Sequence, residues 1–264
     1  MFIGFVLGGM IGYLAYRAGA LTTGGAWAAG VTGGLVFGIG GLAWAALLLA
    51  FFLSSSGLSR AFKTRKAGLD EKFAKGSNRD AAQVLANGGL GAMLVLAHAF
   101  LPAADWPWIA YAGAMAAVNA DTWATELGVL SAAPPRLITN GRIVEKGTSG
   151  GISLAGYLAA SGGAGLIAGL AWLFAPGISG AALVEGVFLG GLAGSTFDSL
   201  LGATVQAIYY CPACKKETER HPAHGCGTET VLVRGWEWLD NDAVNFLSSL
   251  FGAGVAFVVW ELLL

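Results

Sequence analysis

The sequence predicts an all-α, polytopic integral membrane protein with about eight transmembrane helices in a single domain over residues 1–264. Hydrophobic residues make up 55% of the chain, and charged residues make up only 12%. A soluble domain usually carries about 25% charged residues, so this composition excludes an ordinary soluble protein. The charges are also segregated. When the apolar segments are threaded back and forth, all 15 Lys and Arg residues fall on one face of the membrane.

The individual helices follow from the length of the apolar segments. A helix that crosses the hydrocarbon core needs about 20 residues. Segments of this kind predict helices near 2–19, 21–38, 41–57, 82–101, 107–133, 150–174, 179–208 and 240–263. The pair 21–57 is one long apolar stretch, which we divide at the glycine-rich residues 38–41. The alternative is seven helices with one re-entrant segment.

Glycines recur at a spacing of four in two of these helices. Small residues let membrane helices approach closely, so we interpret the two series as packing seams. They are Gly30, Gly34 and Gly38, and Gly186, Gly190 and Gly194.

The basic residues predict the orientation. Cytoplasmic loops carry an excess of Lys and Arg, so we expect a multi-pass protein of the cell membrane with loops 58–81, 134–149 and 209–239 in the cytoplasm. Most cations of loop 58–81 are interpreted as determinants of topology and as contacts to anionic lipid. Arg79 and Lys63 lie close to the ends of helices and are the better candidates for phosphate contacts.

Two carboxylates lie deep within predicted helices. Asp121 is about twelve residues from the cytoplasmic end of its helix and Asp198 about eleven, so at 1.5 Å per residue each lies roughly 15 Å deep. A charge at that depth costs several kcal/mol unless it is paired or hydrated, which makes both acids candidates for function.

Further polar residues line the same ends of three helices, and Asp198 adds a fourth. They are Gln83, Asn87, Thr122, Thr125, Glu126, Asn241, Asp242 and Asn245. Grouped carboxylates with few cations favour Mg²⁺, and we predict Asp121, Glu126, Asp198 and Asp242 as its ligands. Two alternatives stay open: interhelical hydrogen bonds that serve only packing, and a pathway for protons or cations.

Loop 134–149 ends in a segment that suits phosphate. It combines a lysine, two hydroxyls and three glycines, and it leads into the predicted helix 150–174. Glycines let backbone N–H groups approach a phosphate, and a helix N-terminus adds partial positive charge. The predicted phosphate or nucleotide contacts are Arg79, Asn87, Lys146, Gly147, Thr148, Ser149, Gly150 and Gly151. The alternative is a flexible turn in which Ser or Thr caps the helix.

All three cysteines lie in loop 209–239. A C-x2-C pair followed by His-x-Cys supplies the four ligands of a structural zinc site. We predict Cys211, Cys214, His224 and Cys226 as these ligands, with His221 as a substitute for His224. Such a zinc knuckle would hold the loop over the mouth of the cavity. The alternative is a set of reduced thiols without metal.

The order of these motifs resembles one family of membrane proteins: the plant phytyl-phosphate kinases and their relatives, known as domain of unknown function 92 or transmembrane protein 19. The matching segments are 78–88, 121–128, 146–151, 194–203 and 241–246. The resemblance implies CTP, Mg²⁺ and a lipid phosphate as ligands.

The resemblance also implies an activity. We expect a CTP-dependent kinase that converts a prenyl-type lipid monophosphate, such as phytyl phosphate, to its diphosphate, with Asp121, Asp198 and Lys146 as catalytic residues. The expected partners are CTP or another nucleoside triphosphate, the lipid monophosphate and the bilayer, but no nucleic acid; a homodimer stays open. The alternatives are a membrane cytidylyltransferase that forms a CDP-linked lipid, a transporter of a phosphorylated or lipid substrate, and a structural membrane protein.

Overall fold

The computed structural model describes residues 1–62, 78–174 and 180–264. Lys63, predicted as a phosphate contact, lies outside the described residues. The described residues form seven helices: α1 (Phe2–Arg17), α2 (Thr23–Ala61), α3 (Ala81–Phe100), α4 (Trp106–Gly128), α5 (Leu154–Leu173), α6 (Gly180–Thr204) and α7 (Asn241–Leu262).

Short strands occupy two of the loops. Among the described residues, β1 (Arg136–Leu137) pairs antiparallel with β2 (Gly151–Ile152). A second sheet has the antiparallel order β4-β3-β5, formed by β3 (Ile208–Cys211), β4 (Lys216–Thr218) and β5 (Val231–Arg234). The prediction of a mainly helical membrane protein is confirmed, and the strands are confined to loops between helices.

Five of the helices in the described part of the chain are long and apolar enough to cross a membrane, namely α2, α3, α5, α6 and α7. Helix α1 is apolar but has only 16 residues. Helix α4 is long enough, with 23 residues, but it carries acids and amides in its second half. It packs against α5, α6, α7, α3 and α2, and residues 107–120 are all buried. The first part of this central helix is therefore enclosed by protein.

The predicted count of about eight helices is not confirmed, because the described residues form seven. The difference lies in α2, where the predicted break is a reversal inside one continuous element. Gly41 has φ 72° and ψ −159°, a positive-φ conformation that glycine adopts without steric cost. The arms 23–40 and 42–61 run in opposite directions. Arg60, at the end of the second arm, donates a hydrogen bond to the carbonyl oxygen of Ala18, which lies just before the start of the first arm. A single glycine thus replaces a loop.

The predicted packing seams are confirmed. A Cβ atom at Gly190 of α6 would lie 2.6 Å from the carbonyl oxygen of Gly252 in α7. A Cβ atom at Gly8 of α1 would lie 2.6 Å from the backbone nitrogen of Gly34 in α2. In both seams backbone lies against backbone, so these positions cannot accept a side chain unless a helix moves. The seam between α6 and α7 matters most here, because both helices carry acids near one end.

Replacing Gly190 with Leu is expected to destabilise the protein by about 1–3 kcal/mol or more, the usual effect of overpacking a well-packed interface. The melting temperature in detergent would report the loss. Gly169→Leu is the matched control, because in the described structure nothing lies within 4 Å of a Cβ atom at Gly169. Equal melting temperatures for the two variants would show that the seam does not hold α6 against α7.

Candidate active site

A polar cavity of about 740 Å³ opens at the end of the helix bundle where the loops meet. Its walls come from α2, α3, α4, α5, α6 and α7, from the segment 146–153 and from the loop after β4. All the residues that were predicted to bind Mg²⁺ or phosphate and that lie in the described part of the chain line this one cavity. They are Arg79, Asn87, Asp121, Glu126, Lys146, Gly147, Thr148, Ser149, Gly150, Gly151, Asp198 and Asp242.

The two deep acids reach this cavity from neighbouring helices. Asp121 lies on α4 and Asp198 on α6, and both are half-buried. Ser248 of α7 donates a hydrogen bond to Asp198 Oδ2 at 3.2 Å. Asp121 lies seven residues before the end of α4 and Asp198 six residues before the end of α6, so both are nearer the helix ends than the predicted twelve and eleven residues. Contact with a polar cavity, rather than with lipid, accounts for carboxylates at these positions.

The remaining acids lie nearer the mouth. Glu126 is buried, five residues after Asp121 on α4, and it accepts a hydrogen bond of 2.7 Å from Ser59 Oγ in α2. Asp242 lies in the first turn of α7, which begins after Asp240. The Asp240 side chain caps this helix by accepting a hydrogen bond from the backbone of Ala243 at 2.9 Å. Four carboxylates from three helices therefore face one space, a donor set that suits a hard divalent cation.

One neighbouring polar residue serves packing instead. Asn119 is fully buried, accepts a hydrogen bond from Ser54 Oγ at 3.0 Å and donates one to Gly163 O at 2.8 Å. It joins α2, α4 and α5. The interpretation of polar residues as interhelical hydrogen bonds thus holds for Asn119, which does not line the cavity, whereas Asp121 two residues later does.

Arg79 is held firmly at the side of the cavity. Its backbone N–H donates to Ala20 O and its carbonyl accepts from Thr22 N, both at 3.0 Å. Its guanidinium lies over the ring of Phe51, 5.5 Å from the centroid, and donates to Ser56 Oγ at 3.4 Å. Desolvation lowers the pKa of Arg79, and the charge of Glu126 counteracts this shift. The result is a fixed cation near the carboxylates.

Helix α3 supplies amides beside Arg79. Asp80 and Gln83 form a capping box, in which each side chain bonds to the backbone of the other residue. One turn later, Asn87 Nδ2 donates to Gln83 O at 2.8 Å. The capping box fixes the start of the helix, and the amides of Gln83 and Asn87 line the cavity.

The predicted phosphate loop is a glycine turn that rests on α6. Gly147 and Gly150 have φ values of 76° and 81°, which other residues adopt only with strain. A Cβ atom at Gly150 would overlap Ala203 near the end of α6. Lys146 lines the cavity, and its Nζ donates to Ser131 O at 2.5 Å. The backbone of this loop is therefore shaped by glycine and by contact with a helix.

The expectation that this loop runs straight into a helix is wrong. Strand β2 follows the loop, and α5 begins only at Leu154. Ser153 caps that helix by accepting a hydrogen bond from the backbone N–H of Gly156 at 3.1 Å. The glycines at 147, 150 and 151 thus precede the helix and do not form its first turn. Any phosphate held here would bind to the turn itself.

The predicted zinc ligands come together beside the second sheet. The ligand atoms of Cys211, Cys214, His224 and Cys226 all lie within 4.8 Å of one another. His224 Nδ1 is 3.5 Å from Cys214 Sγ and 3.3 Å from Cys226 Sγ. The three cysteines form no disulfide in the described structure. His221, the predicted substitute, instead stacks on Tyr209, with 4.8 Å between ring centroids.

The chemistry of this cluster fits a metal. Hydrogen bonds with Thr228 and then His224 lower the pKa of Cys226 to about 5, so this residue is a thiolate at neutral pH. Cys226 in turn raises the pKa of Cys214 to about 11. A thiolate is the form that binds metal, and three sulfurs with one imidazole make a closed structural zinc set.

The loop 209–239 also contributes to the cavity, which the sequence did not reveal. Glu219 and Arg220 line it. Gln206 connects this loop to the glycine turn. Its Nε2 donates a hydrogen bond to Glu219 Oε1 at 2.9 Å, and its Oε1 accepts one from Ser149 Oγ at 2.6 Å. Arg234 of β5 donates to Gly202 O at 3.0 Å at the end of α6. No pattern in the sequence assigns Glu219 or Arg220 to the cavity wall. The only indication was the prediction that the loop lies over the mouth of the cavity.

Comparison with known proteins identifies relatives over most of the chain. The family described as integral membrane protein DUF92 matches residues 6–253. Protein PGR of Arabidopsis thaliana is 36% identical over 271 residues, which cover 93% of this chain and 91% of that protein. An uncharacterized membrane protein of Synechocystis is 28% identical over 232 residues, covering 83% of this chain and 77% of the relative. An uncharacterized membrane protein of Methanocaldococcus jannaschii is 38% identical over 166 residues, which cover 62% of this chain and 65% of the relative. No solved structure matches the chain.

Proposed function

The chain belongs to the integral membrane family DUF92, the phytyl-phosphate kinase-like family that its motifs resemble, and on this premise we propose that it is a membrane kinase. Its substrate is a prenyl-type lipid monophosphate, which it converts to the diphosphate at the expense of CTP. The observation that carries this proposal is the polar cavity, where four carboxylates, a fixed arginine and a lysine–glycine turn meet at one end of a membrane bundle. Two phosphorylated substrates and a divalent cation need such a combination.

The carboxylates have the role of holding magnesium. Asp121, Glu126 and Asp198 would hold Mg²⁺ directly or through water, and Asp242 would be a further ligand. Mg²⁺ usually keeps several waters and bridges one or two carboxylates to substrate phosphates, where it neutralises phosphate charge. The half-buried position of Asp121 and Asp198 suits an ion that retains part of its water shell.

The basic and glycine-rich groups position the two phosphorylated substrates. The segment 146–151 holds the phosphates of CTP, and Arg79 with Asn87 contacts the phosphate of the lipid. An oxygen of the lipid phosphate forms a bond to the γ-phosphorus, the bond between that phosphorus and the bridging oxygen breaks, and CDP leaves. The attacking oxygen is already anionic, so no strong base is required. Phosphoryl transfer depends mainly on such positioning and on charge stabilisation.

The orientation follows from the basic residues around the cavity. Arg79, Lys146 and Arg220 line it, and Arg60 contacts the loop after α1 at the same end of the bundle. Because cytoplasmic loops carry Lys and Arg, this end faces the cytoplasm and receives the nucleotide from there.

The test is mass spectrometry of the products formed by purified protein with Mg²⁺, CTP and a panel of prenyl monophosphates. A lipid diphosphate together with CDP supports the kinase. A CDP-linked lipid together with pyrophosphate would assign the cavity to cytidylyl transfer. Absence of any product, combined with lipid flux in proteoliposomes without nucleotide, would replace the proposal with transport.

Gly150→Ala is expected to raise the KM for the nucleotide by roughly tenfold. An alanine at a positive φ costs about 1–2 kcal/mol, and a tenfold change in affinity corresponds to about 1.4 kcal/mol. The new Cβ would also push the turn away from Ala203. Gly141→Ala is the matched control, since Gly141 has φ 70° but, in the described structure, no atom within 4 Å of its Cβ position. An unchanged KM for Gly150→Ala would separate this turn from nucleotide binding.

A further inference from the structure

A second cavity, of about 190 Å³, adjoins the polar one. It lies between α1, both arms of α2 and the start of α3, and we refer to it as the apolar chamber. Its walls are almost entirely hydrocarbon, with representative residues Ile11, Ala29, Phe37, Ala45, Leu48 and Val84. The reversal at Gly41 creates this space, because it brings the two arms of α2 to face α1 and α3 together.

The apolar chamber and the polar cavity share one wall. Phe51, Arg79, Gln83 and Asn87 line both spaces. At this junction the guanidinium of Arg79 lies over Phe51 and Phe52, with 5.5 and 5.9 Å to the ring centroids. Polar groups therefore face one side of the junction and aromatic and aliphatic groups face the other. The boundary has the same polarity profile as the head and tail of a lipid phosphate.

We propose that the apolar chamber binds the part of the substrate's hydrocarbon chain nearest its phosphate, while Arg79 holds that phosphate at the junction. This inference rests on the proposed kinase function and adds a site for the chain. A nucleotide is excluded from the chamber because its polar groups would lose their hydration there without replacement. The fixed cation beside a hydrocarbon space is instead complementary to an anionic head on an apolar chain.

The size of the chamber limits what it holds. A volume of about 190 Å³ is close to that of an apolar cavity of about 150 Å³ that binds benzene, so the chamber holds only a few carbons of a long chain. The rest of the chain must therefore leave toward the bilayer. Leu7 and Ile11 of α1 are half-exposed members of the chamber wall, as an exit past α1 requires. The chamber thus recognises the first part of the hydrocarbon chain and does not select for the total length of that chain.

The test fills the chamber. Ala45 is 5% exposed and lines it, so Ala45→Leu places three additional carbon atoms in the space. Turnover of a 20-carbon prenyl monophosphate is expected to fall at least about tenfold in kcat/KM, mainly through KM, the effect of a methylene-sized misfit in an apolar pocket. The melting temperature in detergent is expected to stay near that of the wild type, because the leucine enters existing space, and this shows that the variant is folded. Ala29→Leu fills the chamber from the other arm and is expected to act in the same way.

Ala46→Leu is the matched control, because Ala46 is next to Ala45 but does not line the chamber. Equal kcat/KM for the long-chain substrate in wild type, Ala45→Leu and Ala29→Leu would overturn the chamber assignment while leaving the kinase in place.

A binding measurement separates the chamber from the reaction. A 20-carbon monophosphate with a photoreactive diazirine near its phosphate is expected to label α1, α2 or α3, and Ala45→Leu is expected to lose this label. Unlabelled prenyl monophosphate is expected to compete, whereas phosphatidylglycerol is not. Equal competition by both would show that the chamber holds ordinary bilayer lipid, which overturns the proposal. Specific labelling of a wild-type protein that forms no lipid diphosphate would support the chamber and refute the kinase.

Discussion

Asp198→Asn is expected to abolish formation of the lipid diphosphate while the protein keeps its fold. The substitution removes one negative charge from the group of acids that we propose to hold Mg²⁺, and it preserves the size of the side chain. An oxygen atom also remains to accept the hydrogen bond from Ser248. Loss of one preorganised charge-stabilising group typically lowers kcat by about 10²–10³-fold, and we expect at least this decrease. The measurement is kcat for the lipid monophosphate at saturating Mg²⁺ and CTP.

Glu185→Gln is the matched control, because Glu185 is an exposed acid on the same helix, away from the cavity. Its activity and melting temperature should equal those of the wild type. Asp121→Asn should behave like Asp198→Asn, and the double variant should lose little more than either single one, since residues that act as a unit give non-additive losses. Full activity in Asp198→Asn would remove this acid from the reaction.

His224→Ala is expected to release the metal and to disorganise the loop 209–239. His224 is buried, and its Nδ1 faces two thiols, so its removal leaves three ligands and an opening. Structural zinc sites contribute apparent binding free energies of about 10–16 kcal/mol, so loss of a ligand should unfold the loop locally. Activity should then fall as well, because Glu219, Arg220 and the Gln206 link to Ser149 depend on the position of this loop.

The control for this experiment is His221→Ala. His221 stacks on Tyr209 and does not belong to the four-ligand cluster, although the sequence alone left it as a substitute. Elemental analysis should find one zinc per chain in the wild type and in His221→Ala, and none in His224→Ala. Retention of zinc and activity in His224→Ala would refute the structural role. Retention of activity in His224→Ala without zinc would show that activity at the cavity does not depend on the Cys/His cluster.

Much of the fold was predictable because it depends on local properties of the chain. Apolar segments of about 20 residues form helices in a membrane whatever their partners, since every backbone polar group must be satisfied within the segment. The predicted ends of α3 and α7 therefore lie within about one or two residues of the observed ends, the usual uncertainty of helix boundaries. The glycine seams were equally predictable, because spacing along one helix face is a local property.

Part of the site was predictable for a different reason. Asp121 and Asp198 stood out because an acid inside an apolar segment is costly, and the Cys/His spacing stood out because metal ligands recur in few patterns. The structure adds that these acids share a cavity with Arg79 and Lys146. The sequence could not show that Asn119 bonds between helices while Asp121 faces the cavity, because both are polar residues in the same helix.

By itself, the sequence determined that this is a helical membrane protein, and it predicted the segments in the bilayer, the deep acids and four candidate metal ligands, with His221 left as a substitute for one of them. Only the tertiary structure decided that α2 reverses at Gly41, that a strand and a serine cap separate the glycine turn from α5, and that Glu219 and Arg220 reach the cavity. It also decided that an apolar chamber adjoins Arg79. The physical reason is that hydrophobicity and ligand chemistry belong to individual segments, whereas a cavity depends on how distant segments pack together.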